Sequence, residues 1–90
     1  MMQMKRLRYV RSVYPDKIKP VTLEYHLLAE KVGVQTHYGI SIRLICTEYV
    51  EEKSIRRITT SRSRIERMLL AMAQGTVTPV TMRDIVDDML

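Results

Sequence analysis

The sequence predicts an α+β fold: an antiparallel sheet of three to four strands followed by two C-terminal helices packed on one face. Three observations lead there. All five aromatic residues are tyrosines (Tyr9, Tyr14, Tyr25, Tyr38, Tyr49), and they lie in the first 49 of 90 residues. Alternation of apolar and polar residues with period two runs through the same half, as in half-buried strands. After Thr60 the apolar spacing changes to that of a helix. A run of strands followed by a run of helices packs as two segregated layers.

Met4 to Val13 reads as a strongly basic first strand that ends at Tyr14-Pro15-Asp16, where proline favours an extended or turn conformation. From Val21 the odd positions Val21, Leu23, Tyr25, Leu27 and Ala29 are apolar or aromatic, which gives a second strand with one buried face. From Val34 the phase reverses: Val34, Tyr38, Ile40, Ile42, Leu44 and Cys46 share one face, with Gln35, His37, Ser41 and Arg43 on the other. Lys31-Val32-Gly33 lies between the two runs, and Gly33 is free to take a positive φ, so a hairpin joins them. Their core faces coincide only if paired residue numbers sum to an odd value. A sum of 63 sets His26 opposite His37, and a sum of 65 sets Leu28 there. A charged turn from Glu48 to Glu52 then leads into a fourth strand, Lys53 to Thr60.

In the C-terminal half, Ile65, Met68, Leu69 and Met72 follow the i, i+3, i+4, i+7 pattern of one helix face. Ser63 and Glu66 have the spacing of a capping box, and Gly75 suits the position just past the helix end. A second helix starts at Thr78-Pro79 or at Thr81, with Pro79 suited to the first helical position, and carries Met82, Ile85, Val86 and Met89 on its stripe. No linker or repeat divides the chain, so residues 1–90 are expected to form one small domain.

Function classes narrow by exclusion. A single cysteine, Cys46, allows no intramolecular disulfide and no multi-cysteine metal site. The longest uncharged apolar run, Met68 to Ala73, falls far short of the roughly 20 residues of a membrane-spanning helix. The basic N-terminus lacks the apolar stretch of a signal peptide, and a cytoplasmic setting is expected. Cys46 with His26 or His37 would need a shared face, yet the alternation puts the thiol on the apolar face and both imidazoles on the polar one. Two facing histidines would still lack a third metal ligand. Gly33, Gly39 and Gly75 are isolated, so no phosphate-binding glycine loop exists. No enzyme, metal or cofactor is expected.

Charge supplies the sharpest candidates. Lysine and arginine total 15 against 10 acidic residues, a net charge of +5. Residues 1–67 hold 14 of the bases and 7 of the acids. Arg64 and Arg67 fall in the first turn of the predicted helix, where the macrodipole disfavours cations. Ser61, Arg62, Ser63, Arg64 and Arg67 at a helix start would suit a phosphate, and Arg6, Arg8 and Arg11 on the first strand would extend the site along a nucleic-acid backbone. The competing reading pairs the basic start of the first helix with Asp87 and Asp88 at the acidic end of the second, if the helices run antiparallel. Methionines on the stripes read as core filler, with an adaptable groove or a dimer seam as the alternative.

Taken together, Leu23-Glu24-Tyr25-His26-Leu27-Leu28, Tyr38-Gly39-Ile40, Ile58 with the first helix, and the ending Val77-Thr78-Pro79 with Asp84-Ile85-Val86 and Asp88 resemble a family of short uncharacterised bacterial proteins, a domain of unknown function, over residues 23–90. The resemblance implies a compact α+β protein and no activity. The expected function is a non-enzymatic protein-interaction or regulatory module, open to a homodimer. Nucleic-acid or phosphate binding is the alternative, and no membrane is expected.

Overall fold

A computed structural model describes residues 2–14 and 19–90. Four strands, β1 (Met2–Val13), β2 (Val21–Val32), β3 (Gln35–Ile45) and β4 (Val50–Thr59), are followed by α1 (Arg62–Gln74) and α2 (Met82–Met89). The strands form one antiparallel meander in the order β1-β2-β3-β4, and the helices cover one face, as the period change at Thr60 predicts. The turn expected at Pro15-Asp16 lies outside the described residues.

The core is the odd face of β2 joined to its partners on β3. Leu23, Tyr25 and Leu27 stand opposite Leu44, Ile42 and Ile40. Ile65, Leu69, Met72, Met82 and Val86 of the helices close over them, all nearly free of solvent contact. The buried stripe methionines Met68, Met72 and Met82 therefore fill the core. Tyr25 is fully buried, and its hydroxyl donates to the Val77 carbonyl at 2.8 Å, which ties the helix connection to the sheet. Burial pushes its phenol up to about 12, with Arg11 pulling weakly the other way.

Several local expectations are corrected. The β2–β3 register has paired numbers summing to 67, because the turn is the two-residue Gly33-Val34, with Gly33 at φ 63 and Val34 98% exposed. His26 therefore faces Ser41, and His37 faces Glu30, so the histidines do not meet. The β3–β4 turn is shorter than the charge run suggests. The Cys46 amide donates to the Tyr49 carbonyl, and β4 begins at Val50, so Glu51 and Glu52 are strand residues.

Helix ends differ as well. Ser61, not Ser63, caps α1, accepting from the Arg64 amide at 3.2 Å. Glu66 is then too far along to complete the box, and it is occupied elsewhere. At the other end Gly75 has φ −86, and Thr76, one residue later, takes the left-handed conformation at φ 48. The Val77 amide reaches the Met72 carbonyl and the Thr76 amide reaches that of Ala73, the bond pattern of a Schellman motif built on threonine rather than glycine. Pro79 is a buried turn residue and does not start α2. Thr81 precedes the helix instead, and the Met82 amide bonds back to the Pro79 carbonyl.

Candidate functional site

The eight cationic and hydroxyl candidates do not form one cluster. Ser61 is the α1 cap, with the Ser63 hydroxyl 3.3 Å from it. Arg8 is the extra residue of a β-bulge between Leu7 and Tyr9, and the bulge turns its side chain towards α1, where it donates to Glu66 Oε1. Arg62 donates to the same oxygen at 3.1 Å and lies over the Tyr38 ring, 5.8 Å from its centre. The Arg8 bond, supported by Arg62, holds the Glu66 carboxyl below its usual range. Arg64 donates to the Met89 carbonyl at 3.2 Å. The start of α1 thus does lie beside the end of α2, as the antiparallel reading requires. The expected pairing fails in its partner: among the described residues no ion pair joins Arg62, Arg64 or Arg67 to Asp87 or Asp88. A backbone carbonyl at the negative helix end takes the guanidinium instead. Arg11 lies over Tyr9, 5.6 Å from the ring centre, and Arg67 lines an open surface depression with Met68, Ala71 and Met89. Arg6 is exposed on β1.

A second cluster, on the face away from the helices, was not singled out by sequence reasoning. Lys5 on β1 and Glu52 on β4 form an ion pair of 2.8 Å across two intervening strands. The register places Lys5 level with Gly39, and Glu52 level with Arg43. In a flat sheet those positions would be about 20 Å apart, from strand spacings of about 4.8 Å and rises of about 3.3 Å per residue. Two side chains do not span that distance, so the sheet coils and its edges lean over the open face. Burial agrees: Ser41 is fully buried and Glu30 is 5% exposed, although no helix among the described residues covers that face. Ser41 is satisfied by the Ser54 hydroxyl at 2.9 Å.

Glu30 has the densest partner set. Arg57 grips it with both Nε and Nη2, at 3.0 and 2.9 Å, and Arg56 Nη2 donates to Oε2 at 2.5 Å. The Arg57 bonds come first in drawing the Glu30 carboxyl down to about 2, against the opposing effect of its burial, and Arg56 adds to them. Consecutive strand residues normally point to opposite faces. Here both arginines converge because β4 bulges between Ile55 and Thr59, where Arg56, Arg57 and Ile58 stand against the single Gly39, and Arg57 takes φ 54. A Cβ on Gly39 would sit 2.3 Å from the Ile55 carbonyl oxygen and 2.9 Å from the Arg56 Cα. Only glycine admits the bulge. A glycine inside a strand pattern is the sequence signal for such a close approach. Beside the cluster the open face holds a pocket of about 420 Å³.

The remaining candidates are dispersed. Cys46 sits half-buried in the β3–β4 turn with its Sγ donating to the Tyr49 carbonyl, while His26 Nε2 lies 3.3 Å from Glu24 Oε1 on the open face. Among the described residues no group of three or more His, Cys, Asp or Glu side chains could hold a metal ion, and no helix is long and apolar enough to cross a membrane.

The fold and its surface define a small α+β protein: a coiled meander sheet with a helical pair on one face and a charged concavity on the other. The chain belongs to the Family of unknown function (DUF6514), whose pattern matches residues 4–90 and so includes the basic β1. No curated protein and no solved structure matches the chain.

Proposed function

We propose that this protein is a non-enzymatic, cytoplasmic interaction module that takes up an acidic, extended segment of another protein as a fifth strand along β1. The observation that carries the reading is the edge itself. β1 is twelve residues long and, among the described residues, pairs only with β2, so its outer side presents a row of backbone donors and acceptors without a strand partner there. Strands of about five or six residues are the norm, and natural edges of this length are usually shortened or covered.

Chemistry selects the occupant. Met4, Leu7 and Val10 are 48, 47 and 46% exposed, and the strand carries Lys5, Arg6, Arg8 and Arg11 with no acidic residue; Lys5 and Arg8 pair with Glu52 and Glu66 of other elements, and Arg6 and Arg11 make no ion pair among the described residues. A second β1 would bring these cations against their own copies, which is unfavourable in directly opposed pairs. A β1–β4 contact between copies is head-to-tail and does not close as a dimer. A foreign strand carrying carboxylates among apolar residues matches both features, with backbone bonds giving affinity and side chains giving register. Nucleic acid competes for the same charges. However, Arg8 and Arg62 share Glu66, and Arg64 and Arg11 each donate to a backbone carbonyl, which leaves Arg6 on β1 and Arg67 on α1 as the main contribution, on different elements.

The test is fluorescence anisotropy with a short labelled peptide alternating glutamate and valine, a lysine–valine counterpart, and a single-stranded oligonucleotide. The reading expects binding of the acidic peptide alone, weakened by Arg6→Glu with Arg11→Glu. Equal or stronger oligonucleotide binding favours the nucleic-acid alternative, and no binding of the acidic peptide ends the proposal. Sedimentation of the unliganded chain should show a monomer; a dimer would indicate a second copy as the occupant.

A further inference from the structure

We propose that the concave face of the sheet is a binding site for a small organic oxyanion, a carboxylate or phosphate ester on an apolar body, held by Arg56 and Arg57. Gln3, Met4 and Lys5 of β1 also line this pocket, but the arginine pair that carries it belongs to β4, so the proposal stands whether or not the edge of β1 binds a peptide.

The arginine pair exceeds what Glu30 requires. Arg57 alone satisfies both carboxylate oxygens in a two-point grip, and Arg56 donates to an oxygen already bonded. A guanidinium has five donor hydrogens in a planar fork. Glu30 takes two from Arg57 and one from Arg56, so most of each fork is left over, and both side chains are about half exposed. Glu30 thereby acts as a positioning residue: it fixes two adjacent guanidinium groups side by side at the pocket wall. The arrangement is held against a cost, since Arg57 occupies a left-handed conformation at φ 54 that non-glycine residues rarely adopt. Strain of this kind gathers at binding sites, where surrounding structure enforces it.

The pocket matches such a ligand in size and lining. Its volume of about 420 Å³ falls in the range of small-molecule sites, roughly 300–1,000 Å³. Leu28, on the same face of β2 as Glu30, gives the pocket apolar lining, and Met4 and Ala29 of the two adjoining strands also line it. Lys5, Arg56 and Arg57 bring three cations to the lining against the two carboxylates of Glu30 and Glu52, an excess of positive charge where a ligand would sit. Charge-assisted bonds from arginine to a planar or tetrahedral oxyanion supply orientation, and the apolar lining receives the organic body.

The experiment follows thermal unfolding and NMR titration of the full chain with four probes: phenyl phosphate, benzoate, inorganic phosphate and phenol. Phenyl phosphate and benzoate should raise Tm in a concentration-dependent manner. Inorganic phosphate should raise it less, and phenol not at all. Arg56→Gln keeps the Arg57–Glu30 grip and should weaken phenyl phosphate binding about tenfold or more, the scale of a lost charged hydrogen bond. Leu28→Glu leaves the arginines intact, sets a carboxylate in the pocket, and should also abolish binding. Arg83→Gln, on α2, should change nothing. The proposal is overturned if neither organic anion binds, if phenol binds as well as benzoate, or if inorganic phosphate matches phenyl phosphate. It is equally overturned if Arg83→Gln weakens binding as much as Arg56→Gln, since the effect would then be general electrostatics.

Discussion

Replacing Gly39 by alanine tests the link between sequence and the concave face at its narrowest point. The added Cβ would meet the Ile55 carbonyl oxygen at 2.3 Å, the Arg56 Cα at 2.9 Å and the Ile55 carbonyl carbon at 3.2 Å. All three are backbone atoms, so no flexible side chain can yield, and β4 itself must move away from β3. Overpacking of this kind costs typically 1–3 kcal/mol and occasionally more. With only backbone in the way, the upper end applies, about 3 kcal/mol. For a domain of 60–100 residues each kcal/mol shifts Tm by about 4–8 °C, giving a loss of about 12–24 °C. Gly33→Ala is the control. It has positive φ but nothing within 4 Å of a Cβ, so its cost is conformational only, about 1 kcal/mol and about 4–8 °C. Thermal unfolding followed by circular dichroism compares the two. Hydrogen exchange at Arg56 to Ile58 should rise selectively in Gly39→Ala, because the strand pairing beside the bulge is what gives way. A Gly39→Ala protein that melts within a few degrees of the parent, or above Gly33→Ala, would refute the claim that β4 presses on this glycine.

Three further outcomes follow from the same structure. Thr76→Gly puts glycine where the left-handed residue sits, and after the entropic cost of glycine should stabilise by about 0.5–1 kcal/mol, raising Tm by about 2–8 °C; an unchanged or lower Tm contradicts the capping assignment. Tyr25→Phe removes the hydroxyl that bonds the Val77 carbonyl and should cost about 1–2 kcal/mol, seen as a lowered urea midpoint at unchanged slope. Glu30→Gln should lower Tm at neutral pH in a pH-dependent way. The folded Glu30 carboxyl titrates near 2 against an ordinary 4.5, so its contribution is fully present above 4.5 and disappears as pH falls through about 2. The Tm gap between parent and variant should therefore close between those values, and a gap that stays constant across that interval would show that the pair is not the source.

The order of the elements was legible, and two periodicities report four of them directly: alternation through β2 and β3, and the i, i+3, i+4, i+7 stripes of Ile65–Met72 and Met82–Met89. What escaped depends on backbone placement that side-chain patterns do not encode. Val34 fits the apolar phase of β3, yet it occupies the turn, and the register moves by two residues with it. Glu51 and Glu52 look like a charged turn because β4 sits at a sheet edge, where acids are tolerated and the alternation is lost. Glu30 falls on the polar face, as its position in the alternation requires. Its burial comes from sheet coiling and from two arginines that a regular strand would send to opposite faces. Arg56 and Arg57 lie in the predicted fourth strand as consecutive residues, and only the bulge over Gly39 makes them a pair. Charge balance likewise pointed to the contact between the helix ends, while the partner proved to be the Met89 carbonyl rather than Asp87 or Asp88.

The most direct test of the interaction reading is amide hydrogen exchange along β1 with and without the glutamate–valine peptide. A fifth strand would bond the outward-facing amides of Met2–Val13, which have no strand partner among the described residues of the free protein. The account predicts that alternate β1 amides gain protection on peptide addition, while those of β4 and the helices stay unchanged. Exchange along β1 that is indifferent to a saturating peptide, or protection that appears on β4 instead, would contradict it.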